Sequence, residues 1–317
     1  EGLLRDVDEA IQVAARVGYP VMVKADAGGG GRGMRHCSNE EELRQGFAQA
    51  SAEATAAFGN GDLFLEKCLE NGRHIEVQIL GDRWGNVLHL FERECSIQRK
   101  HQKLIEESPS PALNNQQRQD LGRAAAQAAA AMNYVGAGTI EFLMDAKTGS
   151  LHFMEMNTRL QVEHGISECV TGIDIVREQI RVSAGEKLET QQADVSLQGH
   201  AIECRINAED PNHDFRPTPG ELTQFEIPDN LGPGTVRVDT HVQQGDTIPP
   251  HYDSLMAKII AHGKDRAEAL ETMRRALDGL RIEGVTSTTP LHQAVLTSDE
   301  FQSGTYNTGS LPGWTPK

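Results

Sequence analysis

Five of the six residues from 28 to 33 are glycine (Gly28-Gly29-Gly30-Gly31-Arg32-Gly33), and few other features of this chain restrict its local fold so tightly. Glycine inside a helix or strand costs about 0.5–1 kcal/mol against alanine, so such a run belongs to a turn or a flap. It lies between two extended stretches, Pro20-Val21-Met22-Val23-Lys24-Ala25 and Met34-Arg35-His36-Cys37. Gly28, Gly30 and Gly33 formally satisfy G-x-G-x-x-G, but a dinucleotide fingerprint opens directly into a helix, and here an extended piece intervenes. A Walker loop fails as well, because Met34 stands where lysine should follow Gly33. What remains is a strand–glycine–strand flap whose bare amides can approach phosphates, with Lys24 supplying a point charge beside them. A merely mobile hairpin tip is the plainer reading, and it leaves the weakened strand uncompensated.

Around the flap, apolar spacing predicts a helix over 7–18, stopped by Tyr19-Pro20, and a capping box of Ser38 with Glu41 predicts another over 39–56. Residues 63–67 read as a strand. Residues 73–80 alternate strictly, with His74, Glu76 and Gln78 on one face, and 87–91 returns beside them after a turn at 82–86. A basic run at 98–103 is followed by Pro109 and Pro111. The alanine-rich 116–132 stretch reads as a packed structural helix. Strands at 139–144 and 151–156 flank a turn at 145–149. After Gly199 the chain is mostly extended (200–207, 222–227, 236–242, 257–261), and helices at 265–280 and 290–297 close it. The polar Gln191-Gln192-Ala193-Asp194 marks a boundary near 195.

With 317 residues the chain suits about two domains. Its formal charge of −16 speaks against a nucleic-acid partner held through phosphate neutralisation. No apolar run approaches the roughly 18 residues a membrane span needs. Cys37, Cys68, Cys95, Cys169 and Cys204 are odd in number and widely spaced, as reduced cytoplasmic thiols are. Glu1-Gly2-Leu3-Leu4-Arg5-Asp6 lacks a signal-peptide pattern, and the numbering reads as starting partway through a longer protein.

If the 139–156 hairpin turns about Thr148, Glu141 and Glu155 each lie seven residues from the centre and face each other. Opposed side chains in an antiparallel pair are about 5 Å apart, where like charges repel unless a cation intervenes. Asn157 points the same way, which completes a hard-oxygen set suited to magnesium. A one-residue register shift with one Glu in solvent is the rival. Thr158-Arg159-Leu160-Gln161-Val162-Glu163-His164 follows, and its spacing lets Arg159, Gln161 and Glu163 project together as a clamp and a base for a small oxyanion. Arg205, between apolar Cys204 and Ile206, is either functional or an ordinary buried ion pair with Glu203 or Glu209.

Lys24-Ala25 with the flap, the run Glu92-Arg93-Glu94-Cys95-Ser96-Ile97-Gln98-Arg99-Lys100-His101-Gln102-Lys103, the run Glu155-Met156-Asn157-Thr158-Arg159-Leu160-Gln161-Val162-Glu163-His164, and Glu203-Cys204-Arg205-Ile206-Asn207-Ala208-Glu209-Asp210-Pro211 together resemble biotin carboxylases over nearly the whole chain. The resemblance implies an α+β chain: an ATP-grasp fold over 1–195 (a small lid subdomain, 1–68, and a large subdomain, 69–195), then a biotin carboxylase C-terminal domain over 196–317. It implies ATP contacts from Lys24, Gly28, Gly29, Gly30, Gly31, Gly33, Glu66, Lys67, Leu69, His74, Gln98, His101, Glu141 and Glu155. Magnesium or manganese, as two ions, would sit on Glu141, Glu155 and Asn157. Bicarbonate would lie among Lys103, Arg159, Gln161 and Val162, with Glu163 as general base, and Arg205 would stabilise the enolate-like oxygen of biotin. The implied reaction is ATP-dependent carboxylation of carrier-bound biotin through carboxyphosphate, within an acyl-CoA carboxylase. Implied partners are a biotin carboxyl carrier, a carboxyltransferase and a second copy of the chain. No Met-Lys-Met biotinylation motif is present in the sequence, so the carrier is expected elsewhere. The family's N-terminal domain is not represented, and Gly165 replaces a usual proline, which reads as loosening the loop around Glu163. Another ATP-grasp ligase, such as a carbamoyl-phosphate-forming module, and an inactive nucleotide-binding scaffold are the alternatives.

Overall fold

The computed structural model describes residues 2–27, 33–69, 71–100, 102–227 and 232–316. Gly28, Gly29, Gly30, Gly31 and His101, all expected to touch a nucleotide, lie outside the described residues. The chain divides into two compact units, Glu1–Glu70 and Asn71–Lys317.

In the first unit, helix α1 (Val7–Val17) leads into strand β1 (Val21–Ala25), β2 (Met34–Cys37), helix α2 (Glu40–Phe58) and β3 (Leu63–Lys67), and the sheet runs in the order β2-β1-β3. Strand β1 buries Val21, Val23 and Ala25 and turns Met22 and Lys24 outward, the alternation expected of a sheet covered on one face. Leu43, Ala50 and Ala54 of α2 meet that buried face. Helix α2 begins one residue later than the Ser38 box predicts. Asn39 is the cap, accepting from the Glu42 amide, and the Glu42 carboxylate accepts from the Ser38 amide at 2.8 Å. Asn39 and Glu42 offer the same reciprocal chemistry one position on, which sequence spacing alone does not separate from Ser38 and Glu41. Gly33 has φ 71, and a Cβ there would fall 2.7 Å from Ala25 Cβ, so the end of the flap requires glycine.

The second unit is built on strands β4 (Arg73–Gly81), β5 (Val87–Arg99), β6 (Gln102–Ser108), β7 (Gly136–Met144), β8 (Leu151–Asn157), β9 (His200–Asn207), β10 (Thr235–Thr240) and β11 (Leu255–Gly263). They form one sheet in the order β10-β11-β9-β6-β5-β4-β7-β8. The helices are α3 (Asn115–Ala131), α4 (His164–Thr171), α5 (Ile175–Ser183), α6 (Arg266–Gly279), α7 (Thr289–Thr297) and α8 (Asp299–Ser303). Extended structure continues far beyond the 87–91 return strand. Glu92, Arg93 and Glu94 lie in this continuation, and all three are buried in β5. Helix α3 packs on β4 and β5, and Gly122 allows the approach, because a Cβ there would lie 2.4 Å from the His89 ring. An apolar cluster including Ile202, Cys204, Met256, Ile259, Met273, Leu277 and Leu291 fills the space between the sheet and helices α6 and α7.

The β6–β9 pairing joins the two halves of the sequence, aligning Glu106 with Glu203 and Glu107 with Ile202 across the expected boundary near 195. Next to this seam is a buried ionic cluster. Glu107 accepts from Arg266 Nε at 2.7 Å and from Tyr306 Oη at 2.5 Å, and it faces His200 Nε2 at 2.6 Å. Burial pushes the Glu107 carboxyl up, but His200 and Arg266 outweigh burial and hold it at about 2. A carboxyl depressed in the folded state adds stability that is complete above its ordinary value near 4.3 and fades as pH falls toward 2. Glu107→Gln is therefore expected to cost about 3–5 kcal/mol at pH 7, since it strands the Arg266 guanidinium, and less at pH 3. Urea denaturation at the two pH values checks this, and equal losses at both would contradict it.

Candidate active site

The turn at 145–149 closes with the Asp145 amide bonded to the Ser150 carbonyl, so near the tip Met144 pairs with Leu151 and Phe142 with Phe153. That register alone would place Glu141 opposite Met154. A bulge between Glu141 and Phe142 adds one residue to the β8 side, and beyond it Glu141 faces Glu155 and Thr139 faces Asn157. The two acids are thus opposed, although the centre of the turn is not Thr148. Glu141 is buried and Glu155 exposed. Asn157 Nδ2 bridges them, 3.0 Å from Glu141 Oε1 and 3.4 Å from Glu155 Oε1. An amide proton occupies the place between the carboxylates, and the pair fits a divalent ion there if the amide presents its oxygen instead.

Behind the hairpin, β4, β5 and β6 converge on an acid cluster. Lys103 Nζ donates to Glu76 Oε2 at 2.5 Å, to Glu163 Oε1 at 2.5 Å and to Glu141 Oε1 at 3.1 Å. Arg93, fully buried in β5, donates to Glu76 Oε1 and to Gln78 Oε1, each at 2.6 Å, and to Gln161 Oε1 at 3.3 Å. Gln161 Nε2 passes the chain on to Glu141 Oε1 at 3.0 Å. His74 Nε2 lies 3.1 Å from Glu141 Oε2, and His74 Nδ1 lies 3.0 Å from Gln98 Nε2. Burial raises Glu76 and Glu141, but Arg93 and Lys103 for the first, and His74 and Lys103 for the second, reverse the effect and hold both carboxyls well below the usual range.

Glu163 immediately precedes α4, with no side-chain hydrogen bond to the helix, and is 2% exposed. Its second oxygen accepts from Arg205 Nη2 at 2.8 Å, and Arg205 Nε donates to Glu106 Oε1 at 2.7 Å. The expected rival pairing of Arg205 with Glu203 or Glu209 does not occur. Glu106 displaces Glu203 because it reaches the guanidinium from the neighbouring strand β6. Lys258 Nζ holds the Val162 carbonyl at 2.7 Å and Asp239 at 3.1 Å, which fixes the peptide that delivers Glu163. Gly165 does not loosen this loop. It is buried in the first turn of α4, where a Cβ would lie 2.4 Å from Ile260 Cδ1.

Gln98, Lys103, Gln161, Glu163 and Arg205 thus join Glu141, Asn157 and His74 in one connected polar face of the second unit. Arg159 is exposed at its edge, with Nη2 3.4 Å from Asn157 Oδ1. In the first unit Lys24 is ion-paired with Glu66. Lys67 Nζ donates to the carbonyls of Gly18 and Tyr19 at 2.9 and 2.8 Å, which uses two of its three protons. Leu69 is half-buried. Sequence reasoning missed Glu76, Arg93, Glu106 and Lys258 as parts of the site. The His74, Glu76, Gln78 alternation was the available signal for the first, and nothing local marked the others.

The family model described as "Carbamoyl-phosphate synthase L chain, ATP binding domain" matches residues 1–191, and "Biotin carboxylase C-terminal domain" matches 203–312. A biotin carboxylase of Nostoc sp. is 53% identical over 308 residues, which cover 97% of this chain and 68% of the relative. The chain belongs to the biotin carboxylase family. It combines an ATP-grasp domain with a biotin carboxylase C-terminal domain. The biotin carboxylase domain dimer of Hydrogenobacter thermophilus 2-oxoglutarate carboxylase, solved with MgADP, ADP and bicarbonate, matches with TM-score 0.89 and 48% identity over 97% of this chain and 67% of that one. A Campylobacter jejuni biotin carboxylase–β,γ-ATP complex matches with TM-score 0.91 and 45% identity over 98% and 68%. The chain thus spans about two thirds of the biotin carboxylases it resembles.

Because Lys103 is the common cation of three carboxylates, Lys103→Met is expected to destabilise the fold by about 3–5 kcal/mol at pH 8. Glu76 and Glu141 are depressed in the folded state, so their contribution is present above the ordinary carboxyl value and shrinks as pH falls below about 4. Chemical denaturation at pH 8 and at about pH 2.5 checks both the size and the convergence. Wild-type stability at pH 8 would contradict the role given to the lysine.

Proposed function

We propose that this chain carries the ATP-using half-reaction of a biotin-dependent carboxylase, joining bicarbonate to carrier-bound biotin. The observation that carries the reading is the placement of Glu163 between Lys103 and Arg205, directly after a hairpin whose two opposed acids and amide suit a divalent ion. Glu141, Glu155 and Asn157 hold magnesium or manganese in this reading, and the ion neutralises charge on the nucleotide phosphates. Lys103, Arg159, Gln161 and the Val162 amide hold bicarbonate. Glu163 takes the bicarbonate proton as the oxygen attacks the γ-phosphorus, the bond to ADP breaks, and carboxyphosphate forms. Its C–O bond to phosphate then breaks to give carbon dioxide. The released phosphate takes the ureido proton, and the biotin nitrogen attacks the carbon. Arg205 stabilises the negative oxygen that biotin develops.

Lys24, Glu66, Lys67, Leu69, Gly33 and the flap glycines serve ATP in this reading, as do His74, Gln98 and His101. The domain division at 195, dimer formation, the carrier and carboxyltransferase partners and a cytoplasmic setting belong to the same proposal. No helix among the described residues is long and apolar enough to cross a membrane. An acyl-CoA remains the proposed final acceptor, although the acceptor is chosen in the second half-reaction. A relative named as a 2-oxoglutarate carboxylase shares most of this chain. A carbamoyl-phosphate-forming ligase accounts for the ATP-binding match but not for the second domain. The presence of Glu141, Glu155, Lys103, Glu163 and Arg205 disfavours decay to a scaffold.

Bicarbonate-dependent ATP cleavage and carboxybiotin formation by the full-length protein test the reading. Glu163→Gln is expected to lower carboxybiotin formation roughly 10²–10⁴-fold, and Arg205→Ala roughly 10²–10³-fold, with ATP affinity retained in both. Full carboxybiotin yield from these variants would refute the roles assigned to them.

A further inference from the structure

Glu106 on β6 and Glu203 on β9 are directly opposed across the seam of the sheet, and both are fully buried. Two carboxyls so placed, roughly 5 Å apart at Cβ, cannot both be ionised without a cation for each. Only one is supplied. Glu106 Oε1 receives Arg205 Nε at 2.7 Å and Nη2 at 2.6 Å, whereas Glu106 Oε2 and both oxygens of Glu203 have no donor among the described residues. The groups around the pair are Arg205 and Cys204 on β9, Lys103 on β6, Lys258 on β11, Glu163 at the head of α4, Cys169 within it, and Arg237 on β10, which is held by Glu168 and Asp239. Lys258 and Lys103 are engaged elsewhere, on Asp239 and the Val162 carbonyl and on Glu76, Glu141 and Glu163.

We propose that Glu106 and Glu203 keep a single proton between them, Glu203 as the neutral acid and Glu106 as the ion that anchors Arg205, which makes Glu106 a positioning residue for that arginine. The assignment of the proton follows from the contacts, since the carboxyl that meets the guanidinium is the one favoured as an anion. Burial pushes both groups up, Glu106 to about 7 with Arg205 acting against the rise, and Glu203 well above the ordinary carboxyl value, with Glu106 adding to burial there. The consequence lies in the guanidinium. Its Nε and Nη2 are fixed between Glu106 and Glu163, and Nη1, without a partner among the described residues, is left to meet a ligand oxygen. Were Glu203 also charged, the arginine would be drawn along β9 and away from Glu163.

This inference rests on the reading of Arg205 as the group that stabilises biotin, and the test separates the two. On the full-length protein at pH 8, infrared difference spectra of wild type and Glu203→Gln are compared for a protonated-carboxyl band. Rates of carboxybiotin formation are measured for Glu203→Gln, Glu106→Gln, Glu106→Asp and Arg205→Ala. Glu203→Gln, which mimics the neutral acid, is expected to lose the band and keep its rate within about twofold, as a volume-conserving change should. Glu106→Gln is expected to lower kcat roughly 10–100-fold with KM for ATP unchanged, and Glu106→Asp, which keeps the charge, to recover part of it. A purely structural role would move KM for ATP and thermal stability together with kcat. An unchanged band in Glu203→Gln overturns the shared proton, as does a wild type without one. Wild-type kcat in Glu106→Gln beside an inactive Arg205→Ala overturns the positioning role. Full activity of Arg205→Ala instead sinks the reading of the arginine, and the band still decides the proton. Should Glu106→Gln fail to fold, the band decides the proton and the kcat of Glu106→Asp decides the positioning role, which a wild-type value would overturn.

Discussion

The site depends on one ammonium group. Lys103 stands where carboxylates from β4, from β7 and from the head of α4 converge, and without it Glu76, Glu141 and Glu163 would repel one another in a buried space. Arg93 adds a second cation beneath Glu76, and the two together leave each acid with a defined partner and direction. Glu163 is presented between Lys103 and Arg205, and Glu141 keeps its open side toward Glu155 across the hairpin. Order in this polar layer therefore comes from charge pairing, while on the opposite side of the sheet apolar packing against α3, α6 and α7 surrounds the Glu107–Arg266 cluster.

The single sheet explains why a residue from the second half of the sequence belongs to chemistry seated in the first. Strand β9 adds to β6, so Arg205 arrives next to Glu106, and Lys258 from β11 reaches the Val162 carbonyl. The boundary seen in composition near 195 is a break in the chain's pattern, not a break in the sheet. Gly165 fits the same picture, because it lets α4 press against β11 over the polar layer that the helix covers.

Much of this was legible in the amino-acid sequence. Strand β1 was readable, since alternation survives when one side meets a core. Strand β5 beyond Phe91 was not, because both of its faces are buried and ion pairs replace the apolar residues that would have marked it. The opposition of Glu141 and Glu155 was foreseen from a symmetric turn, yet it is produced by an off-centre turn and a compensating bulge. Register errors of one residue invert a face, so that agreement owed something to cancellation. Glu106, Arg93 and Lys258 stayed hidden because each acts through a partner remote in sequence, and no local pattern encodes such a pairing. The resemblance supplied roles; the structure supplied the neighbours.

Among the described residues, one outer and two inner sets of side chains could hold a divalent ion, and they make opposite demands on Lys103. The outer is the Glu141–Glu155 pair with Asn157; the inner are His74, Glu76 and Glu141, and Glu76, Cys95 and Glu163, with the ligand atoms of each within 4.8 Å of one another. The most direct measurement is an anomalous-scattering map of the full-length protein crystallised with manganese, ADP and bicarbonate. If Lys103 is the resident cation of the inner acids, the metal peak lies between Glu141 and Glu155, at about 2.1 Å from an oxygen of each, with the ammonium still on Glu76. A peak among His74, Glu76 and Glu141, with Lys103 driven out, would contradict the account at its root.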